Sequence, residues 1–290
     1  VLLRAVEYAK PASVAEALEL LAANDGARAL AGGQTLINVM KARAASPDAL
    51  VDLNGIEELK GIELAADGTL TVGAMTTYGE MVASAEAKAR PILGEVCNQI
   101  ADVQVRNRGT IGGNVCSNDP TNHLPPLMVA VGAEMTIVGT AGVGSTEPGR
   151  AAAGSAGAGA NIVERVVPAD EFFLGVYMTA VAPGELLTRI TIPAGKGDGF
   201  AAVTLGVDGT CIVNAAASVN GSLRVALGCV DAVPVLVQPE SAEPEAVRQA
   251  VRGAELTPPD DVHASSDYRA HLAEVLAVRA ATEAVERAGR

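Results

Sequence analysis

Apolar and polar residues follow one another along this chain in two rhythms, one near 3.6 residues and one of two, which separate helical from extended segments. Ser13 is followed three residues later by Glu16, the spacing of a capping box, and Leu18 and Leu21 then make a short apolar face. The pattern predicts a helix over about 14–23. Thr77 and Glu80 repeat the signature ahead of Met81 and Val82, so a second helix is predicted to start near Tyr78. Between the two, residues 49–53 and 70–74 read as strands, the latter alternating Leu70, Val72 and Ala74 with polar or small neighbours.

Past Pro193 the two-residue rhythm dominates. Apolar runs over 212–219 and 223–230 flank Asn220-Gly221, the favoured two-residue hairpin turn when both positions accept positive φ. This predicts a separate antiparallel unit. The chain ends with Tyr268, Leu272, Val275, Leu276 and Arg279 at helical spacing, which predicts a helix laid over that sheet. The stretch over about 140–160 breaks both rhythms. Its Gly, Ala and Ser buy little apolar burial against their ordering entropy, so it reads as a mobile insertion between folded segments.

Composition narrows the function. The 290 residues are 49% hydrophobic but 2% aromatic, with no Trp, so the core is one of Val, Leu, Ile and Ala, and no base-stacking platform can be built. A net charge of -13 repels phosphate backbones and anionic lipid. No apolar run reaches the ~18 residues of a spanning helix, and a cytoplasmic protein is expected. Cys97, Cys116, Cys211 and Cys229 lie far apart, as do His123, His263 and His271; none has metal-ligand spacing. The cysteines read as reduced structural thiols and the chain as free of metal chemistry.

Two glycine pairs remain: Gly32-Gly33 in LAGGQTL and Gly112-Gly113 in GTIGGN. Chance placement of 31 glycines gives about three such pairs, so their setting matters more than their number. Each follows apolar residues and precedes hydrogen-bonding side chains, Gln34-Thr35 and Asn114. Lacking Cβ, glycine lets successive N–H groups converge on an anion, an advantage in an acidic chain with few nearby cations. A pair of ordinary tight turns fits the residues equally well. Neither pair has the three spaced glycines of a dinucleotide-binding Rossmann turn.

Four segments carry a resemblance: Leu30 to Leu59 (LAGGQTLINVMKARAASPDALVDLNGIEEL), Thr71 to Thr77 (TVGAMTT), Gln104 to Pro120 (QVRNRGTIGGNVCSNDP) and Ser266 to Ala280 (SDYRAHLAEVLAVRA). Together they resemble the FAD-binding subunits of the xanthine dehydrogenase and aerobic carbon monoxide dehydrogenase family of molybdenum hydroxylases, over nearly the whole chain outside the Gly/Ala-rich stretch. The resemblance implies an α+β chain: a two-subdomain FAD-binding fold of the p-cresol methylhydroxylase and vanillyl-alcohol oxidase type over 1–188, divided near residue 55, then a C-terminal sheet-and-helix domain over 189–290.

It also implies a site. The family's two glycine motifs bracket the FAD pyrophosphate, which places Ala31, Gly32, Gly33, Gln34, Thr35 and Leu36 with Thr110, Ile111, Gly112, Gly113 and Asn114 at the cofactor. Ile100 matches a position that often touches the flavin, and Leu186 or Leu187 one that packs near its ring. Where many relatives carry an acidic residue, this chain has His123, read either as a different FAD contact or as a surface neighbour. Relatives often place a Lys near Phe200 and Ala201; none occurs here.

The expected function is therefore that of an electron-transfer subunit. A large partner subunit would hold the molybdenum cofactor and a small one two 2Fe-2S clusters, as a dimer of heterotrimers, with electrons passing from the clusters through FAD to an external acceptor. The carbon monoxide branch is favoured over those that oxidise nitrogen heterocycles or aldehydes. The contrasting expectation, a self-contained FAD oxidase of a small alcohol or phenol, would need a pocket that three Phe and four Tyr furnish poorly.

Overall fold

The computed structural model describes residues 2–141, 150–151, 162–206 and 209–290. Most of the Gly/Ala-rich stretch expected to be mobile therefore lies outside the described residues.

The chain opens with β1 (Glu7–Ala9), α1 (Val14–Ala22), β2 (Ala27–Leu30), α2 (Leu36–Lys41) and β3 (Ala49–Asp52). The strands form a parallel sheet in the order β1-β3-β2. α1 starts where its cap predicts: Ser13 Oγ accepts the Glu16 N–H at 3.2 Å. Ala17, Leu18 and Leu21 bury its apolar face against Val51, Leu53 and Ile56.

A larger unit follows. It contains β4 (Ile62–Leu64), β5 (Leu70–Gly73), α3 (Tyr78–Ala83), α4 (Ile92–Gln99), α5 (Val103–Arg106), α6 (Ile111–Ser117), α7 (Leu124–Val131), β6 (Glu134–Thr140), β7 (Arg150–Ala151), β8 (Ile162–Pro168), α8 (Ala169–Phe172), β9 (Phe173–Gly175), β10 (Met178–Thr179) and β11 (Leu186–Ile192). Its six-stranded antiparallel sheet runs β4-β5-β11-β6-β8-β7, with β9 and β10 apart as a hairpin. α3 carries the full reciprocal capping box between Thr77 and Glu80 that its sequence predicts. β11 runs through the expected boundary at 188–189 and keeps pairing with β5 as far as Ile192.

α7, with the sequence LPPLMVAV, is buried along its whole length, as a helix apolar on every side must be. Pro125 sits in its first turn, where no N–H is missed, and Gly132 ends it at φ 68°. Arg224 caps its last turn from outside, donating to the Val129 carbonyl at 2.9 Å.

The remainder is β12 (Gly197–Leu205), β13 (Thr210–Asn220), β14 (Ser222–Gly228), β15 (Val235–Val237), α9 (Pro244–Arg252) and α10 (Ser266–Ala288), the strands forming one antiparallel sheet in that order. The expected two-residue hairpin turn is not made. Asn220 pairs directly with Ser222, and of Asn220 and Gly221 only Gly221 has positive φ, at 83°. The Asn220 side chain instead donates to the Ala194 carbonyl at 3.0 Å, which holds it out of the turn.

α10 covers this sheet through Leu272, Ala273, Leu276, Ala277, Ala280, Ala281 and Ala284. The approach is close enough that a Cβ on Gly199 would lie 2.1 Å from the Ala280 carbonyl oxygen. Small residues thus do in this core what aromatic bulk does elsewhere. Where the two halves meet, buried Arg90 forms a two-pronged ion pair with buried Asp198, at 2.8 Å for both contacts, and donates to Ser218. No helix among the described residues is long and apolar enough to cross a membrane.

Candidate cofactor site

The parallel register sets Leu30, the last residue of β2, beside Asp52, the last of β3. From there the chain turns through Ala31–Thr35 into α2. Gly33 holds φ 74°, a left-handed conformation that costs glycine little and any residue with a Cβ more. Gly32 lies flat against the segment leading to the second glycine motif: a Cβ there would stand 2.0 Å from the Arg108 carbonyl oxygen. A Cβ on Gly113 would come within 3.4 Å of the Ala31 side chain. The two glycine motifs, distant in sequence, therefore share a seam.

Their main chains are used in opposite ways. Among the described residues, the N–H groups of Gly32, Gly33, Gln34, Thr35 and Leu36 meet no protein acceptor. The carbonyls of the same loop are held: Ala31 by Asn54 Nδ2 at 3.0 Å, Gly32 by Gln34 Nε2 at 3.1 Å and Gly33 by the Ile37 N–H at 3.2 Å. Fixed carbonyls and unpaired amides in one short turn make a concave array of donors suited to an anion.

The second motif is not a tight turn. Thr110 is the cap of α6, with Oγ1 accepting the Gly113 N–H at 3.0 Å, so the glycine pair lies in the first turn of a helix. The Ile111 N–H is bound to the Thr76 carbonyl and that of Gly112 to the Ala74 carbonyl, both at 2.9 Å. Ile111 is core, and Gly112 is glycine because a Cβ would lie 2.6 Å from both the Cβ and the carbonyl oxygen of Ala74. In this motif the Thr110 N–H is the one without a protein acceptor among the described residues. Asn114 is buried, its Nδ2 held by the Tyr78 hydroxyl at 3.0 Å and its Oδ1 unpartnered.

A cleft of about 290 Å³ opens over the first loop, walled by Gly32, Gly33, Asn38, Lys41, Asn54 and Arg108. The expectation that few cations stand near is corrected here: Lys41 and Arg108 are exposed on its rim, a local positive field on an acidic chain. Behind the loop, Asp52 is buried and accepts from Asn54 Nδ2 at 2.6 Å, the Asn54 N–H at 2.9 Å and the Tyr8 hydroxyl at 2.5 Å. Burial pushes its carboxyl up, but the hydrogen bonds from Tyr8 and Asn54 outweigh that and hold it below the ordinary aspartate value.

The remaining expected residues stand elsewhere. Ile100 ends α4 and packs half-buried on the main core; Leu187 belongs to that core and Leu186 to the core of the parallel sheet. None of the three walls the cleft. His123 is 4% exposed, which removes the surface reading, since it caps the buried helix α7. Its ring lies 5.5 Å from that of Phe200, where relatives were expected to place a lysine, and its Nε2 has no partner among the described residues.

His123 adjoins a cluster that sequence reasoning missed. Asn214 Nδ2 donates to Cys211 Sγ at 3.3 Å and to the Asn122 carbonyl at 3.2 Å. A hydrogen bond from the Cys229 thiol, against the opposing effect of burial and with His123 alongside, lowers the Cys211 thiol below its ordinary value. Cys97 and Cys116 are pushed up by burial to about 12, in keeping with structural thiols, and Cys211 and Cys229 are buried free thiols. Among the described residues no group of His, Cys, Asp and Glu is placed to hold a metal ion.

Comparison with known proteins identifies the family. Residues 4–148 match the family described as the FAD binding domain in molybdopterin dehydrogenase. The chain is 36% identical to the carbon monoxide dehydrogenase medium chain of Afipia carboxidovorans, over 97% of each chain. It is 30% identical to the nicotine 6-hydroxylase medium subunit of Paenarthrobacter nicotinovorans, over 97% of this chain and 98% of that one. A solved structure of carbon monoxide dehydrogenase from Hydrogenophaga pseudoflava, lacking the Mo-pyranopterin moiety of the molybdenum cofactor, superposes with a TM-score of 0.84 at 32% identity over 99% of each chain. With its paired glycine motifs, its α+β architecture and this full-length similarity, the chain belongs to the FAD-binding medium subunits of the xanthine dehydrogenase and carbon monoxide dehydrogenase family of molybdenum hydroxylases.

Proposed function

We propose that this chain binds FAD with its diphosphate on the first glycine loop and acts as the electron-transfer subunit of a carbon monoxide dehydrogenase. The observation that carries the site is the run of unpaired amides from Gly32 to Leu36 between Lys41 and Arg108. A dianion there gains main-chain donors and two flanking cations, which together offset its desolvation. Ala31 to Leu36 form the cradle. Thr110, Ile111, Gly112, Gly113 and Asn114 join the site through the seam that Gly113 makes with Ala31, not as walls of the cleft. Ile100, Leu186, Leu187 and His123 are assigned to the flavin end by family resemblance alone; none of them walls the cleft.

FAD, when bound, supplies redox capacity that accepts electrons singly and releases them singly or in pairs; the protein supplies position, burial and hydrogen bonds. The electron source is a partner, since the chain's cysteines and histidines offer no cluster ligands among the described residues. We assign the partners as a large subunit with the molybdenum cofactor and a small subunit with 2Fe-2S clusters, in a dimer of heterotrimers. The carbon monoxide assignment rests on the higher identity to that medium chain than to the nicotine-hydroxylating one.

Purification from the native host tests this directly. The chain is expected to bring molybdenum and iron with it, and acid precipitation to release its flavin into the supernatant. A metal-free homo-oligomer whose flavin is reduced at a catalytic rate by a small alcohol or phenol would overturn the assignment.

A further inference from the structure

Two consecutive glycines are the most flexible step a chain can contain, so a loop built on them is ordered only as far as its neighbours hold it. The first glycine loop has four local ties: Gln34 Nε2 donates to the Gly32 carbonyl, the Ile37 N–H to that of Gly33, Asn38 Nδ2 to that of Gln34 and the Val39 N–H to that of Thr35. All four close the loop upon itself or onto α2, which follows it. None reaches the parallel sheet. The tie that does so comes from Asn54, in the short helical turn after β3, whose Nδ2 reaches the Ala31 carbonyl at 3.0 Å.

Asn54 is itself held from behind. Its Nδ2 also donates to Asp52 Oδ1 at 2.6 Å and its N–H to the same oxygen at 2.9 Å, which locks the side chain in one orientation. Asp52 is fixed in turn by the Tyr8 hydroxyl on Oδ2. Tyr8 lies on β1, Asp52 at the end of β3 and Ala31 just past β2, so the relay crosses all three strands of the parallel sheet. The strands are joined by a hydrogen-bonded ladder, whereas the amides of the glycine loop are bonded to nothing among the described residues.

We infer that Asn54 is a positioning residue for the diphosphate site: braced by Asp52 and Tyr8, it fixes the Ala31 carbonyl and thereby holds the amides of Gly32 to Leu36 turned toward the cleft before any ligand arrives. This rests on the diphosphate reading of the loop. Asn54 works by preorganisation, sparing the ligand the cost of ordering a two-glycine segment. It has no charge to attract the ligand. A role in the loop's conformation therefore shows equally with every ligand that carries the diphosphate.

The test uses the full chain after removal of flavin, with FAD and ADP titrated separately against wild type, Asn54→Ala and Tyr8→Phe, and amide hydrogen exchange followed in the unliganded proteins. Asn54→Ala is expected to weaken FAD and ADP by a similar factor, about tenfold, and to speed exchange at 32–36 while α1 and the three strands keep their protection. Tyr8→Phe, which removes only the far brace, should weaken both ligands by a smaller factor. Unchanged affinity in Asn54→Ala overturns the inference and leaves the diphosphate site standing. Faster exchange throughout α1 and the parallel sheet also overturns it, because the role is then one of general stability. A wild-type chain that binds neither FAD nor ADP overturns the diphosphate reading itself.

Discussion

The two glycine pairs look alike in sequence and are put to opposite uses. In the first, the N–H groups from Gly32 to Leu36 are unpaired and the carbonyls are tied down. In the second, the N–H groups of Ile111, Gly112 and Gly113 are all committed to Thr76, Ala74 and Thr110, and glycine serves close packing. A glycine doublet is therefore no signature of an anion site by itself. What distinguishes the two is where the amides go, which depends on Thr110 starting a helix at once in one case and on Gly33 delaying it with a positive φ in the other.

Substitution should pull the two apart. Gly112→Val, which drives side-chain atoms into the backbone of residue 74, is expected to cost roughly 3 kcal/mol of stability in denaturant unfolding, as overpacking of a tight site does, while the molecules that fold keep near-normal affinity for FAD. A stability loss below about 1 kcal/mol would show that the packing role is overstated.

At Gly33 the balance should reverse. Gly33→Ala forces a side chain into a left-handed conformation, a strain of about 1–2 kcal/mol that the loop can relieve by turning its amides away. FAD affinity is expected to fall by about tenfold in a fluorescence titration, with unfolding affected less than in the Gly112 variant. A variant that binds FAD as tightly as wild type would break the comparison on its more important side.

Smaller effects should follow from the rim. Arg108→Gln removes an exposed charge that screening already weakens, so a loss of roughly threefold in FAD affinity is expected, shrinking further as salt rises. Acid should act later still. The Asp52 carboxyl is held below its ordinary value, so its contribution is fully present above the unfolded pKa of about 3.9 and is lost only as pH falls through the lower folded value. FAD affinity is thus expected to stay level between about pH 5 and 8 as far as Asp52 is concerned. A fall centred near pH 6 that Asp52→Asn abolishes would contradict this.

Local signals in the sequence were legible where one residue decides the outcome. The Ser13 and Thr77 caps place α1 and α3, and the spacing of Leu272 and Leu276 gives the helix over the second sheet. Signals that depend on a distant partner were not. The Asn220-Gly221 turn fails because Asn220 finds the Ala194 carbonyl, and the second glycine pair becomes a helix start because Ala74 and Thr76 accept its amides. Neither partner can be inferred from the motif. The same holds for the cleft: Tyr8, Asp52, Asn54 and Arg108 come together through a parallel register and a seam between motifs that no local pattern encodes. His123 and Cys211 meet only when α7 is buried against β13.

The most direct test of the asymmetry is amide hydrogen exchange on the full chain with and without FAD. On this account FAD slows exchange at residues 32–36, whose amides have no protein acceptor, and leaves 111–113 unchanged, because those amides are already bonded in the free protein. Protection that appears at 111–113 and not at 32–36 would contradict it.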